Sequence, residues 1–189
     1  MQRNGVQPDQ GEVVVSGATG GVGCLAVGIL AKEGYKVVAS TGKAEVRDFL
    51  KALGASRVIS REELDDRSGR PMLKSIWAGA VDTVGGNTLA TIVKSTHVQG
   101  SVAACGVVAG PKLDLTVFPF ILRGVNLLGA DSALWHTEPR QQIWQKLATK
   151  WKLDKLDEIF QTITLLELDD YVKKILKGQI RGRTVVAIQ

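Results

Sequence analysis

The sequence contains few residues of the kinds that bind metals or form disulfides. Only two cysteines and two histidines occur among its 189 residues. Cys24 and Cys105 lie too far apart for a Cys-x-x-Cys pair, and His97 and His136 supply no metal-ligand spacing. This pattern excludes a Cys-x-x-Cys zinc or redox site, and we expect no metal. Isolated cysteines on apolar segments are typically reduced and buried, which favours a cytoplasmic protein.

Long apolar runs and clusters of basic residues are also absent. No stretch approaches the roughly 18 apolar residues of a membrane helix, and no signal peptide precedes the first predicted strand. We therefore expect no membrane partner. The net charge of +5 comes from scattered lysines and arginines, without the aromatic and basic cluster that is typical of nucleic-acid binding. A site for a polyanionic small molecule accounts for the same charge.

Glycine, by contrast, is abundant, with 21 of the 189 residues. Its densest cluster ends the stretch VVVSGATGGVG, residues 13–23. Val13, Val14 and Val15 predict a strand buried on both faces, because no polar alternation marks a solvated side. An apolar helical stripe follows, formed by Val22, Leu25, Ala26, Ile29 and Leu30. A strand, a glycine turn and a helix start together direct free N–H groups and the positive end of a helix dipole at an anion, so the stretch predicts a phosphate site.

Five further predicted strands alternate with helices. The strands are YKVVAS, SRVIS, WAGAVDTVGG, GSVAACG and GVNLLGADS. The intervening helices include AEVRDFLKALG and NTLATIVKST, the second with Asn87 as its N-cap, and a proline-punctuated loop precedes the last strand. Since parallel neighbours require crossovers, this alternation predicts the α/β class, with a doubly wound six-stranded parallel Rossmann sheet in a first domain, residues 1–132.

The pattern changes after Ser132. PRQQIWQKLATKW and LLELDDYVKKILKG predict amphipathic helices with little strand between them. GRTVVAIQ predicts a final strand that has no place in the six-stranded sheet. We assign residues 133–189 to a separate C-terminal segment.

The glycine turn fits a dinucleotide fingerprint. Ala18, Gly20 and Gly23 occupy the fixed positions of an A-x-G-x-x-G variant, and the required strand and helix flank them. The short-chain dehydrogenase turn is an alternative, but its Tyr-x-x-x-Lys pair is missing, because Ala39 and Ile175 stand four residues after the two tyrosines, Tyr35 and Tyr171.

The end of the second strand favours NADP over NAD as the cofactor. An NAD site typically places a carboxylate there to accept from the ribose 2′-OH. Here Ser40, Thr41 and Lys43 occupy the region, and two hydroxyls and an ammonium suit a 2′-phosphate. Lys43 also stands at a helix start, where a cation opposes the dipole, so a surface role does not explain its placement. Arg61, after the third strand, is a further candidate for the same phosphate.

Several blocks resemble the zinc-independent, quinone-oxidoreductase-like branch of the medium-chain dehydrogenase/reductase superfamily, and within it the acryloyl-CoA reductase group. They are GEVVVSGATGGVG, LGASRVISREE, WAGAVDTVGG, VAACG, FPFILRGVNLLGADS and GRTVVAIQ, and the resemblance runs over the whole chain. Members of that family carry a GroES-like catalytic domain before the first Rossmann strand, whereas only MQRNGVQPDQ stands there in this sequence. The resemblance implies that residues 133–189 would complete that catalytic domain.

The resemblance also implies cofactor contacts, in three groups. The pyrophosphate contacts would be Thr19, Gly20, Gly21 and Val22. The 2′-phosphate contacts would be Ser40, Lys43 and Arg61. The nicotinamide side would be lined by Val84, Cys105, Gly106, Phe120 and Ile121.

The implied reaction is NADPH-dependent hydride transfer to the β-carbon of an α,β-unsaturated carbonyl, of the acryloyl-CoA, enone or quinone type. The sequence assigns no catalytic acid or base, and we expect Asp82 to cap a turn or helix rather than to act as one. A non-catalytic NADP-binding module, or an inactive fragment of such an enzyme, is the alternative. We also expect a small-molecule substrate and a homodimer formed through the GVNLLGADS strand.

Overall fold

The chain forms a six-stranded sheet, a two-stranded sheet and the helices that connect their strands. The computed structural model describes residues 4–188. The strands are β1 (Glu12–Val15), β2 (Lys36–Thr41), β3 (Arg57–Ser60), β4 (Trp77–Asp82), β5 (Thr96–Ala104), β6 (Asn126–Gly129), β7 (Phe160–Thr164) and β8 (Arg183–Ala187). The α-helices are α1 (Gly23–Lys32), α2 (Arg47–Ala52), α3 (Gly86–Lys94), α4 (Phe118–Arg123), α5 (Thr137–Ala148) and α6 (Leu168–Leu176).

The larger sheet is parallel throughout, in the order β3-β2-β1-β4-β5-β6. This order confirms the predicted α/β, doubly wound Rossmann sheet. The connection from β1 leads to β2 on one side, and the connection from β3 returns to β4 on the other. The crossovers therefore diverge next to β1, which opens a crevice at the carboxyl ends of the strands.

Apolar packing covers both faces of this sheet, as the unbroken run of valines predicts. Val13, Val14 and Val15 are each 0% exposed. Val13 and Val15 belong to the cluster that includes side chains of α1 and α2, and Val14 to the cluster that includes α3. Because successive side chains of a strand point to opposite faces, a strand with helices on both sides needs no polar position.

Helix α1 forms where the sequence predicts it, but its predicted stripe is only partly buried: Leu30 is buried, and Leu25, Ala26 and Ile29 are half-buried. Its buried side chains include Cys24, Val27 and Leu30. Val22, the first member of the predicted stripe, is 47% exposed. Val22 is the N-cap residue, so it lies outside the regular helical spacing from which its burial was predicted.

The two cysteines differ in exposure. Cys24 is buried in α1, as expected, but Cys105 is exposed. The expectation of burial is wrong for Cys105 because it follows the last residue of β5, where the strand has already left the sheet. Its thiol lies 3.3 Å from the carbonyl oxygen of Asp82.

Two local predictions before β6 are also wrong. Helix α3 has Gly85 as its N-cap, and the Asn87 side chain donates to Asp65 Oδ1 at 2.7 Å instead of capping the helix. The loop predicted before β6 contains α4, with Pro119 in its first turn. A proline is tolerated there because the N–H that it lacks has no intrahelical partner.

The C-terminal segment contains a strand that the sequence analysis missed. Strand β7 pairs in parallel with β8, with Phe160 opposite Arg183 and Thr164 opposite Ala187. The final strand therefore lies outside the six-stranded sheet, as predicted, and pairs with this additional strand. A single bridge between Gly20 and Gly182 also joins this segment to the glycine turn after β1.

Candidate cofactor site

A cleft of about 920 Å³ lies at the carboxyl ends of β1, β2 and β4. Its position is the crevice expected beside β1 in this sheet order. Its lining comes from the turn after β1, the end of β2 with the start of the segment after β3, the turn after β4 with the start of α3, the loop after β5, and the end of α6. The lining includes the predicted residues Thr19, Gly20, Ser40, Lys43, Arg61 and Val84.

The glycine turn after β1 closes through backbone contacts that exclude side chains. Gly17 has a φ of +55°, and its carbonyl accepts from the Gly20 N–H at 2.9 Å. A Cβ atom at Gly23 would lie 2.3 Å from the Gly17 carbonyl oxygen. A side chain at position 23 would push the start of α1 away from the turn.

Helix α1 begins directly after this turn without a side-chain cap. The first N–H groups of a helix lack intrahelical partners, and the dipole makes this end favourable for an anion. The Thr19 hydroxyl lies 3.4 Å from the Thr41 hydroxyl, which connects the turn to the end of β2. The local structure therefore suits a pyrophosphate.

The buried carboxylate of Asp82 stabilises the start of the glycine turn after β1. Asp82 is 0% exposed; its Oδ1 accepts from the Ser16 hydroxyl at 2.6 Å and its Oδ2 accepts from the Gly85 N–H at 2.7 Å. The Ser16 oxygen in turn accepts from the Thr83 N–H at 2.9 Å. Asp82 thus holds the ends of β1 and β4 together and caps the turn before α3, as expected.

Hydroxyls and one ammonium occupy the end of β2. The Ser40 hydroxyl donates to the Ser60 carbonyl at 3.4 Å, and Thr41 Oγ1 accepts from the Lys43 N–H at 3.1 Å. Lys43 Nζ donates to the Ile180 carbonyl. Burial lowers the pKa of the Lys43 ammonium below its usual value, although nearby Glu45 opposes the shift.

Arg61 lies against the same stretch of backbone. A Cβ atom at Gly42 would be 3.0 to 3.3 Å from its side chain. Its Nε forms an exposed ion pair with Glu62 Oε1 at 3.2 Å. Glu62 and Asp65 also line the cleft. The predicted cationic site therefore has carboxylates beside it, but these carboxylates follow β3 and do not stand at the end of β2.

The segment after α6 forms one wall of the cleft, which the sequence analysis did not foresee. Lys177, Gly178 and Ile180 line it, and the Gly182 N–H donates to the Thr19 carbonyl at 2.8 Å. The Arg183 side chain covers Gly21 so closely that a Cβ atom there would lie 2.3 Å from Arg183 Nε. The stretch KGQIRGR carries three basic residues within seven positions, contrary to the expectation that the basic residues are scattered. Its place beside β1 depends on long-range folding.

Only one of the five residues predicted for the nicotinamide side lines the cleft. Val84 lines the cleft, whereas Cys105, Gly106, Phe120 and Ile121 do not. Gly106 packs against the Thr83 backbone near the cleft, Phe120 packs against the core, and Ile121 is 68% exposed. Although the residue as a whole is exposed, partial burial of the Cys105 thiol raises its pKa, with the Asp82 charge adding to the effect. Gly21 and Val22, predicted at the pyrophosphate, also lie outside the lining.

Comparison with known proteins identifies the family. The sequence profile described as "Zinc-binding dehydrogenase" matches residues 21–149. The chain belongs to this family. It is 43% identical over 188 residues to the acrylyl-CoA reductase AcuI of Ruegeria pomeroyi, a match that covers 100% of this chain and 57% of the relative. The resemblance to the quinone-oxidoreductase and acryloyl-CoA reductase group is confirmed.

Two solved structures share the fold closely. The YhdH protein of Escherichia coli K-12, crystallised with bound NADPH, has a TM-score of 0.94 at 44% identity, covering 100% of this chain and 58% of that one. YhfP of Bacillus subtilis, crystallised with NAD, has a TM-score of 0.92 at 45% identity, covering 99% and 57%. This chain thus spans little more than half the length of these relatives.

The family description names zinc, but the described residues offer no site for a zinc ion. Within residues 4–188, no group of three or more His, Cys, Asp or Glu side chains is arranged to hold a metal. This part of the chain does not fit the ion. Among the same residues, no helix is long and apolar enough to cross a membrane.

Proposed function

We propose that this chain is the NADP-binding part of a reductase that transfers hydride to the β-carbon of an α,β-unsaturated carbonyl. The observation that carries the proposal is the cleft beside β1, where a glycine turn and a helix start meet the hydroxyls and cations at the end of β2. The relatives named for acrylyl-CoA reduction and the structure with NADPH support the same cofactor and substrate class.

Different residues would bind different parts of the cofactor. Thr19, Gly20 and the first N–H groups of α1 would bind the pyrophosphate. Ser40, Lys43 and Arg61 would bind the 2′-phosphate, because hydroxyls and cations complement its charge. Val84 would lie on the nicotinamide side. Arg183, which the sequence analysis did not single out, covers Gly21 and would add a cation beside the pyrophosphate.

Bound NADPH supplies the hydride, and the chain's own residues orient the cofactor and cover one side of it. Ser16 and Asp82 hold the two turns that meet beneath the site. Such positioning is a large source of rate enhancement, since holding two reactants in place is worth roughly 7–11 kcal/mol. We propose that the remaining wall is supplied by a catalytic domain that residues 133–189 would complete.

Titration of the chain with NADPH and NADH, followed by fluorescence, tests the cofactor assignment. NADPH should bind more tightly. Lys43→Met should weaken NADPH binding by about 10- to 100-fold, since it removes a charged hydrogen-bond donor, and should leave NADH binding unchanged. Lys51→Met, an exposed lysine of α2, is the matched control. Equal affinities for the two cofactors in the unsubstituted chain would contradict the assignment.

A non-catalytic NADP-binding module is the second candidate, because Val84 alone of the five residues predicted for the nicotinamide side lines the cleft. A steady-state assay with NADPH and acryloyl-CoA separates the two. We expect cofactor binding with barely detectable turnover from these 189 residues. Turnover near the enzyme median of about 10 per second would place the catalytic apparatus within them.

We also propose a homodimer through β6. This strand forms one edge of the sheet, and its half-buried Leu127 and Leu128 suit pairing with a second copy across a two-fold axis. Sedimentation velocity should detect the dimer, and a monomer at high protein concentration would contradict it.

A further inference from the structure

Two ammonium groups from distant parts of the chain line the same cleft. Lys43 follows β2, and Lys177 follows the last residue of α6. Within residues 4–188, neither ammonium forms an ion pair with a carboxylate. The cleft therefore holds two cations whose charge the surrounding side chains do not pair.

The carboxylates that line this cleft already have partners. Glu62 pairs with Arg61 at 3.2 Å. Asp65 pairs with Arg67 at 2.9 Å and accepts from Asn87 at 2.7 Å. Since these contacts occupy both carboxylates, the two lysines would attract an added anion rather than an internal one.

The end of α6 brings Lys177 to the cleft. The Gly178 N–H donates to the Ile175 carbonyl at 2.9 Å and the Gln179 N–H donates to the Lys174 carbonyl at 2.9 Å, while Gly178 adopts a φ of +68°. This left-handed turn ends the helix and directs the chain towards β2, where the Ile180 carbonyl accepts from Lys43 Nζ. Only two residues separate Lys177 from that contact.

The simpler explanation is that Lys177 only stabilises the C-terminal end of α6. A cation near a helix C-terminus stabilises the helix, and Lys173 and Lys174 in the last turn of α6 do so as well. However, Lys173 pairs with Asp170 and Lys174 lies over the Tyr171 ring. Lys177 differs from both because it lines the cleft.

We propose that Lys177 is a further specificity-determining residue, which contacts the 2′-phosphate of NADP together with Lys43. The inference rests on the proposed cofactor assignment and adds to it that the C-terminal segment takes part in discriminating NADP from NAD. The 2′-phosphate carries two negative charges near neutral pH, so two ammonium groups from different elements match it.

The test compares Lys177→Met with the unsubstituted chain, with Lys173→Met as the matched control on the same helix. NADPH, NADH, adenosine 2′,5′-bisphosphate and 5′-AMP are titrated by calorimetry. We expect Lys177→Met to weaken NADPH and the bisphosphate by about tenfold, with NADH and 5′-AMP changed less than about twofold. Lys177→Arg should retain most of the preference, and Lys173→Met should retain all of it.

The outcomes distinguish a failure of the proposed cofactor assignment from a failure of the proposal for Lys177. If the unsubstituted chain binds NADPH and NADH equally, the proposed cofactor assignment fails, and the inference with it. If the unsubstituted chain prefers NADPH and Lys177→Met keeps the full preference, only the inference is overturned. An equal loss of NADPH and NADH binding would also overturn it, because that result indicates a structural role at the end of α6.

Discussion

The six-stranded sheet and the C-terminal segment are stabilised in different ways. In the sheet, residues of β1, β2 and β4 are almost fully buried between two helical layers. Between residues 137 and 187, only Ile159 and Ile163 are buried. The sheet therefore derives its stability from burial of apolar area, whereas the segment depends on a small number of defined contacts.

Those contacts connect the C-terminal segment to α1 and to the glycine turn. Leu153 packs against Gly28, Lys150 pairs with Glu33 at 2.8 Å, and the Gly182 N–H donates to Thr19. The segment therefore contributes little to the core but shapes the cofactor cleft. Stability and binding should therefore respond differently to substitutions in the two regions.

The largest difference should come from two leucines. Leu64, 1% exposed beneath the sheet, and Leu166, 97% exposed in the segment, have the same side chain in opposite surroundings. Leu64→Ala should lower the free energy of unfolding by about 2–5 kcal/mol, and Leu166→Ala by less than about 0.5 kcal/mol. Urea denaturation followed by circular dichroism measures both. Similar losses for the two variants would remove the distinction between the regions.

Ion pairs should show a smaller difference of the same kind. The Lys94 ammonium bonds to Asp66 at 2.9 Å, and both side chains are largely buried, at 9% and 16% exposure, whereas Lys150 is 67% exposed. Asp66→Asn should cost about 1–3 kcal/mol at pH 7, because Lys94 loses its charged partner. Lys150→Met should cost less than about 1 kcal/mol.

The first pair also predicts a pH dependence. Its hydrogen bond from Lys94 holds the pKa of Asp66 below the usual value. A carboxyl with a lowered pKa in the folded state stabilises the fold above its unfolded pKa, about 3.9 for Asp, and loses that effect as the pH falls through the folded pKa. The free energies of unfolding of the unsubstituted chain and Asp66→Asn, measured by denaturation from pH 7 to pH 3, should therefore differ at pH 7 and approach each other as the pH falls below about 3.9. A difference that stays constant over this range would contradict the pair's contribution.

The smallest effect on stability, with a clear effect on binding, should come from Gly182. It has a φ of +64°, and a Cβ atom there would clash with the Ile159 carbonyl. Gly182→Ala should displace the segment beside Thr19 and weaken NADPH binding on the order of tenfold, with the main unfolding transition unchanged. Gly129→Ala, which has open space around it, is the control. Unaltered NADPH affinity in Gly182→Ala would show that the segment does not shape the site.

Sequence patterns sufficed to predict the sheet because its central strands β1 and β4 are apolar on both faces and are followed by glycine turns. The same reasoning missed β7, whose sequence FQTIT is mostly polar, has no regular alternation and buries only Ile163. It also treated Pro119 as a loop marker, although proline is acceptable in a first helical turn. For the site, the turn and the end of β2 are local features and were predicted, whereas the wall around Lys177 arises from residues more than a hundred positions away from Lys43.

The bridge between Gly20 and Gly182 has a consequence for the order of folding during synthesis. The strands β1 to β6 are complete once residue 129 has left the ribosome, so the sheet can assemble while the rest of the chain is still being translated. The wall formed by residues 177–183 is added only after α5, β7 and α6 have also been translated. A nascent chain stalled before residue 177 would already contain the glycine turn. Its cleft would lack this wall, and it would bind the phosphate of its cofactor less tightly.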